Sequence, residues 1–141
     1  MRKLIYILFF SLTLAFASSK VAVVMKVKGD ASVAYKESNS VQSLKPGTTL
    51  SDQDKITTGE NGFVALMYID DKTVVKILGN SILDILGERS GAMINKSINI
   101  EYGKVAAAVT SQKGKEFRVS TPTSVASVKG TSLAIDSDPS N

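Results

Sequence analysis

The stretch FRVSTPTSVASVKGTSLAI, Phe117 to Ile135, decides the fold of this chain. Phe117 and Val119 alternate with polar residues, which predicts a half-buried β-strand. Pro122 cannot donate a ladder hydrogen bond, so that strand has to end, bulge or lie at a sheet edge there. In the next run the apolar residues Ala126 and Val128 are at even positions, whereas Leu133 and Ile135 after Gly130 are at odd ones, which predicts a β-bulge at this glycine. The stretch therefore predicts closely spaced short strands.

The same pattern of short apolar runs, separated by turn-forming residues, extends through the chain after the N-terminal segment. No window shows a sustained helical period with caps. We therefore expect an all-β fold, with many short antiparallel strands in a β-sandwich, roll or barrel-like closure. The other predicted strands include Val21–Lys28, Phe63–Ile69, Thr73–Leu78, Ile82–Leu86 and Ile98–Tyr102, with loops at 36–43 and 87–91 and a turn at 103–104.

The first 17 residues are typical of an export signal. Arg2 and Lys3 precede the mostly apolar run Leu4–Phe16, and Ala15 and Ala17 supply the small residues of a cleavage site. The run is shorter than the roughly 20 residues of a membrane-spanning helix. We expect a signal-peptide helix removed after Ala17 and a periplasmic or secreted protein. Association with a membrane is expected only if this segment stays uncleaved.

Composition excludes several functional classes. The chain contains no cysteine and no histidine, so disulfide scaffolds, Ser-His-Asp or Cys-His catalysis and the usual zinc sites are ruled out. Of 17 basic and 13 acidic residues, Arg2 and Lys3 leave with the signal peptide, so the mature net charge is +2 (15 against 13). This mild, scattered charge argues against a nucleic-acid partner. We expect no enzyme, and we assign no catalytic, cofactor-binding or metal-binding residues.

Four acidic residues are candidates for a calcium site, because calcium takes six to eight oxygen ligands. Asp70 and Asp71 are adjacent, and Asp52 and Asp54 lie upstream. The alternative is a hairpin turn at Asp70-Asp71 and a polar loop at Asp52 to Asp54. The Asp-x-Asp-x-Asp-Gly spacing of a calcium loop is absent, so the turn and the loop are the preferred prediction.

A small basic cluster, Lys113, Lys115 and Arg118, is compatible with contact to an anionic polymer or a lipid headgroup. The alternative is a solvated hairpin tip, and the low number of charges favours this alternative. Four aromatic residues are compatible with a sugar-stacking platform. Their phases place them beside apolar neighbours, which predicts core packing instead. These residues are Phe63, Tyr68, Tyr102 and Phe117.

Five ordered segments of the chain resemble the FecR domain family, a periplasmic module named after an iron-citrate signalling regulator. The likeness extends from about Lys45 to Ile135 and departs from the family pattern in three places: the acidic turn lacks Asp-Gly, Tyr102 replaces an arginine, and Leu133 replaces an aromatic residue. The matching segments are Gly47 to Leu50 with Asp54 to Gly59, Phe63 to Asp71, Ile100 to Val105, Phe117 to Pro122, and Val128 to Thr131.

The resemblance divides the chain into a signal peptide (1–17), an N-terminal strand pair and loop (18–44), a FecR-like β domain (45–135) and a polar tail (136–141). It implies a non-catalytic extracytoplasmic binding or scaffolding module that contacts an envelope protein by strand-edge addition or a loop surface. We expect no cytoplasmic segment and hence no direct anti-sigma activity. The alternative is a module that binds carbohydrate or peptidoglycan. A row of exposed aromatic residues would favour the glycan, and a long unpaired sheet edge would favour the protein.

Overall fold

The computed structural model describes residues 19–110, 116–130 and 132–138, and all regular elements in those ranges are β-strands. The all-β prediction is confirmed, while the predicted signal-peptide helix lies outside the described residues. Within these ranges, no helix has the length and apolar character needed to cross a membrane. The strands are β1 (Lys20–Lys28), β2 (Ala31–Tyr35), β3 (Ser40–Ser43), β4 (Thr49–Ser51), β5 (Asp54–Thr58), β6 (Phe63–Tyr68), β7 (Val74–Ile77), β8 (Ser81–Ser90), β9 (Met93–Ala108), β10 (Phe117–Ser120), β11 (Val125–Val128) and β12 (Ser132–Ser137).

The strands form one curled sheet whose two halves face each other across the core. The half that we call the β1 half has the order β4-β1-β6-β7-β9-β12, and the β8 half has the order β3-β2-β5-β8-β9-β10-β11. The described strand pairs are antiparallel except for β9 with β10, which is parallel. The halves approach closely, because a Cβ atom on Gly87 of β8 would lie 2.8 Å from Val21 Cγ1 of β1.

Strand β9 belongs to both halves and joins them. Its first part pairs with β8 as far as Tyr102, and its last part pairs with β7 from Val105 onward. Gly103, between these parts, has φ +112°, and a Cβ atom there would lie 2.1 Å from the Oγ of buried Ser81. The turn predicted at 103–104 is therefore wrong: glycine lets one continuous strand pass from one half to the other.

The core is filled from both halves by side chains that alternate with exposed ones along each strand. Tyr68 of β6 spans it, with its hydroxyl 3.2 Å from the Leu86 carbonyl oxygen and 3.1 Å from that of Ser97. The Phe117 ring packs edge-on against Tyr68, with ring centroids 6.0 Å apart. Complete burial raises the pKa of Tyr68, so its hydroxyl stays a hydrogen-bond donor. Burial of a side chain such as Phe117 contributes about 1.5–3 kcal/mol to stability.

The N-terminal strands predicted for residues 18–44 form, but they do not pair with each other. β1 pairs with β4 and β6 in one half, and β2 pairs with β3 and β5 in the other. The turn at 29–30 carries the chain between the halves. Val21, Val33 and Leu44 lie in the same core cluster as residues after position 45. This segment is therefore part of the one folded unit.

Two predicted loops are partly strand. The loop predicted at 36–43 contains β3, which is polar because it is an exposed edge strand paired only with β2 among the described strands. The loop predicted at 87–91 is strand as far as Ser90. Gly87 does not break β8, since the close approach of β1 requires a residue without a side chain there.

The region around Gly130 differs from its prediction. Gly130 has φ +61°, but the described registers of β11 and β12 contain no shift. The phase changes because β11 lies in the β8 half and β12 in the β1 half. The polar tail predicted from Asp136 begins inside β12, where Asp136 pairs with Lys104 and Ser137 pairs with Gly103. Residues 139–141 lie outside the described ranges.

Candidate functional site

An open groove of about 1360 Å³ lies across the outer face of the β8 half. Most of its lining side chains point away from the core, since they alternate with buried residues along their strands, while Gly87 and Lys96 reach it from the buried phase. Five neighbouring strands, β2, β5, β8, β9 and β10, contribute to it. The groove is polar in character, with residues that include Tyr35, Lys55, Asp84, Ser97, Asn99 and Arg118.

The strand registers align one row of side chains across the groove. Ala34 pairs with Lys55, and Lys55 pairs with Asp84. Asp84 pairs with Asn99, and Asn99 pairs with Ser120 on the parallel neighbour. A row of directly opposite residues is the arrangement in which cross-strand side chains interact.

The charges of this row are paired with each other. The Lys55 ammonium donates a hydrogen bond to the Glu101 carboxylate and lies 3.9 Å from Asp84 Oδ1. The hydrogen bond to Glu101 raises the pKa of Lys55, partial burial opposes this, and the charge of Asp84 adds to the increase. Asn99 Nδ2 donates to Asp84 Oδ2 at 3.4 Å. The groove thus presents mixed, mutually compensating charges.

Two of the acidic candidates stabilise backbone turns. Asp54 is buried, and its carboxylate accepts hydrogen bonds from the backbone N–H of Ser51 at 2.8 Å and of Lys36 at 3.1 Å. Asp52 Oδ1 accepts from the Gly87 N–H at 2.9 Å. In the described part of the chain, no three acidic side chains converge on one point. Asp52 lies in the predicted polar loop, whereas Asp54 is already the first residue of β5.

The other two candidates, Asp70 and Asp71, lie in the turn between β6 and β7, as predicted, but their side chains point inward. They bind Lys96 of β9, whose Nζ is 2.8 Å from Asp70 Oδ2 and 3.0 Å from Asp71 Oδ2. The side chains of Lys96, Asp70 and Asp71 are 0%, 1% and 10% exposed. The Tyr68 ring covers the ammonium, with its centroid 5.7 Å from Nζ. We call these three charged residues the buried Lys96 cluster.

Sequence analysis missed Lys96, although a signal was present. Ile94, Lys96, Ile98 and Ile100 share one phase of the alternation along β9, and all four are buried. A lysine at an apolar phase is rare in a core unless it is paired. The phase of Lys96 was therefore the signal that could have identified an inward-pointing ammonium and its need for a buried carboxylate partner.

The aromatic residues do not form a sugar-stacking platform in the described ranges. Tyr68 and Phe117 are fully buried and Phe63 is half-buried, so the prediction of core packing is correct for them. It is wrong for Tyr102, which is 36% exposed. The β8–β9 register shifts beside Ile82, which pairs with Tyr102, so the simple alternation fails there. Tyr102 alone among the described aromatic side chains is exposed.

The basic cluster is only partly described. Arg118 is exposed on β10 and lines the groove. Lys113 and Lys115 lie outside the described residues. Asp84 and Glu116 also line the groove, so Arg118 stands in a surface of mixed sign.

The β8 half ends in β11, which pairs with β10 alone among the described strands. The Thr121 N–H donates to the Ser124 carbonyl at 2.8 Å, which sets the phase of this hairpin. Because hydrogen-bonded and non-hydrogen-bonded pairs alternate in an antiparallel ladder, the backbone N–H groups of Val125 and Ser127 point away from β10. The Val125 side chain is 65% exposed. β11 therefore offers an unpaired edge beside the groove.

Comparison with known proteins gives one family match. The model of the family described as "FecR protein" matches residues 54–141, a range that begins later and ends later than the predicted 45–135. No curated protein matches the chain. A solved structure described as "Cell surface anchoring domain" is similar at 24% sequence identity and a TM-score of 0.43, covering 47% of this chain and 84% of that one.

Proposed function

The chain belongs to the FecR family, and we propose that it acts as a non-catalytic, extracytoplasmic binding or scaffolding module of the cell envelope. The proposed partner is another envelope protein, which adds a strand to the edge of β11. The family membership supports an envelope location, and the N-terminal segment with its charged start, apolar run and small residues supports export.

The unpaired edge of β11 is the observation that carries this proposal. An incoming strand receives main-chain hydrogen bonds from the two outward-pointing N–H groups, and the neighbouring side-chain pockets select its sequence. Val125 protrudes at this edge and supplies apolar contact area. Edge strands that are not used for binding are commonly protected by a charge, a proline or a covering segment. Neither Val125 nor Ser127 supplies a charge or a proline at this edge.

A protein partner fits the surface better than a glycan does. Sugar-binding surfaces rely on exposed aromatic rings, and Tyr102 is the one exposed ring of the described residues. The groove beside β11 carries lysine and arginine together with aspartate and glutamate. Mixed charges of this kind are complementary to a polypeptide of mixed charge and give specificity more than affinity.

The test compares two variants of Ser127 in a pull-down from envelope extract. Ser127→Pro removes one outward N–H and leaves the ladder with β10 intact, so we expect the captured partner to be lost. Ser127→Ala keeps the N–H and removes only the hydroxyl, so we expect the partner to be retained. Equal melting temperatures of the two variants show that both are folded.

Equal capture by both variants contradicts strand addition at β11. Cosedimentation with purified peptidoglycan separates the other candidate partner. If the chain cosediments with peptidoglycan and Ser127→Pro leaves that binding unchanged, the partner is a glycan and not a protein.

A further inference from the structure

The buried Lys96 cluster has no role in the proposed binding at β11, and its geometry raises a separate question. The primary amine of Lys96 lies within 3.0 Å of an oxygen of each of two carboxylates, and the three side chains are almost fully enclosed. Removal of charged groups from water is strongly unfavourable even after relaxation, and hydrogen bonds must compensate for it. The cluster meets this demand incompletely.

Asp70 is the residue where the compensation is incomplete. Its Oδ2 accepts hydrogen bonds from Lys96 Nζ at 2.8 Å and from the Ile94 backbone N–H at 2.9 Å. Its Oδ1 is buried and has no hydrogen-bond partner among the described residues. A buried polar atom without a hydrogen bond is uncommon in folded proteins and destabilises the structure. Asp71, in contrast, is held at both oxygens, by the Thr73 N–H at Oδ1 and by Lys96 at Oδ2.

This geometry points to an intramolecular amide bond between Lys96 Nζ and Asp70 Cγ, formed by the protein itself with Asp71 as the proton carrier. The soft terminal torsion of Asp70 lets its carboxyl group turn its face toward Nζ. The Ile94 N–H, already on Oδ2, stabilises the negative charge that develops on that oxygen when the amine adds to Cγ. The enclosed site excludes the water that would otherwise surround both groups.

The atoms of the reaction balance without any added reagent. The ammonium of Lys96 holds three protons: one stays on the amide nitrogen, and two leave with Oδ1 of Asp70 as water. Asp71 Oδ2, at 3.0 Å from Nζ, accepts a proton from the nitrogen and returns it to the departing oxygen. The new bond is N–C, the broken bond is C–O, and Asp71 ends as it began. The unpartnered Oδ1 is the atom that leaves.

The product has more complete hydrogen bonding than the reactants. Two opposite buried charges become one neutral amide, which removes their desolvation cost. The amide carbonyl keeps the Ile94 N–H, and the amide N–H donates to Asp71. The bond would tie the β6–β7 turn of the β1 half to β9 of the β8 half at the end of the core that Tyr68 covers.

Peptide mapping of the purified, folded full-length protein tests this inference. Trypsin cleaves the unlinked chain into peptides 56–72 and 90–96, which contain Asp70 and Lys96. Acylated Lys96 is not cleaved, so the linked form gives one branched species of 56–72 joined to 90–104. Its mass is one water lower than the sum of linear 56–72 and linear 90–104. Detection of this species is expected; recovery of both linear peptides at full mass and no branched species would overturn the inference.

Two variants sharpen the result. Lys96→Met removes the amine at similar volume, and the branched species should vanish. This also excludes a cyclic imide within the Asp70 peptide, which would lose the same water but survive the substitution. Asp71→Asn keeps both reacting groups and removes the proton carrier. Linked product should then form about a hundredfold or more slowly than in the wild type, as followed by peptide mapping at intervals after cell-free synthesis. An unchanged rate would overturn the role of Asp71.

Discussion

Gly103→Ala tests the point where β9 passes between the two halves of the sheet. An alanine at φ +112° adopts a strained backbone, which costs about 1–3 kcal/mol. Its Cβ would also lie 2.1 Å from Ser81 Oγ and 2.5 Å from Ser81 Cα. Ser81 cannot move aside, because it is fully buried and its Oγ accepts a hydrogen bond from the Lys104 N–H at 3.1 Å. Forced overpacking of this kind adds about 1–3 kcal/mol.

The two terms together predict a loss of roughly 2–6 kcal/mol, against a total stability of about 5–15 kcal/mol for a typical domain. At roughly 4 °C per kcal/mol, the melting temperature of Gly103→Ala should fall by about 8–24 °C. Urea unfolding followed by circular dichroism measures the free energy, and an unchanged slope with denaturant shows that the same amount of surface is exposed on unfolding.

Gly47→Ala is the matched control. Gly47 has φ +88°, but no heavy atom outside its chain neighbours lies within 4 Å of a Cβ built there. Its loss should therefore be the backbone term alone, about 1–3 kcal/mol. If Gly103→Ala and Gly47→Ala lose the same free energy, the collision with Ser81 is not the reason for glycine in β9.

Two further substitutions test the core and the groove. Tyr68→Phe removes the hydroxyl that contacts the Leu86 and Ser97 carbonyls, so unfolding in urea should show a loss of about 1 kcal/mol; an unchanged free energy would refute a role for these contacts. Lys55→Gln tests the pH dependence of stability. The hydrogen bond to Glu101 raises the pKa of Lys55 in the folded state. The stabilisation that this pair contributes is therefore fully present below about pH 10.4, the pKa of an unfolded lysine, and is lost as the pH rises through the folded-state pKa. Because the Lys55 side chain is 40% exposed, this contribution is small. The melting temperature of the variant should fall less steeply at alkaline pH than that of the wild type. Equal slopes of melting temperature against pH would contradict the pairing.

The strand content of this fold was predictable, but several strand ends were not. Alternation along the chain predicts β6, β7 and the middle of β9 well, since the period of side-chain burial is a local property. Gly87 and Gly103 were predicted to interrupt strands, as glycines in sequence commonly do. In the structure both lie inside strands, at places where another strand approaches too closely for a Cβ atom. This close approach of two strands depends on the tertiary fold, which a local sequence pattern does not encode.

The groove and the edge depend on pairing between distant strands. Lys55, Asp84 and Asn99 come from three strands and meet because of register, which the sequence alone leaves open. Val125 is apolar and was predicted to lie in a strand, but its exposure follows from the position of β11 at the end of the β8 half. An unpaired strand edge was therefore expected as a class of feature, whereas its location was not.

The acidic turn shows why a correct local prediction can miss the chemistry of a site. Asp70 and Asp71 do form a hairpin turn, and Lys72 adopts φ +61°, the left-handed conformation in which the family's usual Asp-Gly would place glycine. A polar turn predicts solvated side chains. Here Lys96, which shares the buried phase of β9, requires a carboxylate inside the core, and the turn supplies two. Taken separately, neither the lysine at an apolar phase nor the acidic pair in a turn identifies a site. They belong together because a buried ammonium requires a buried carboxylate.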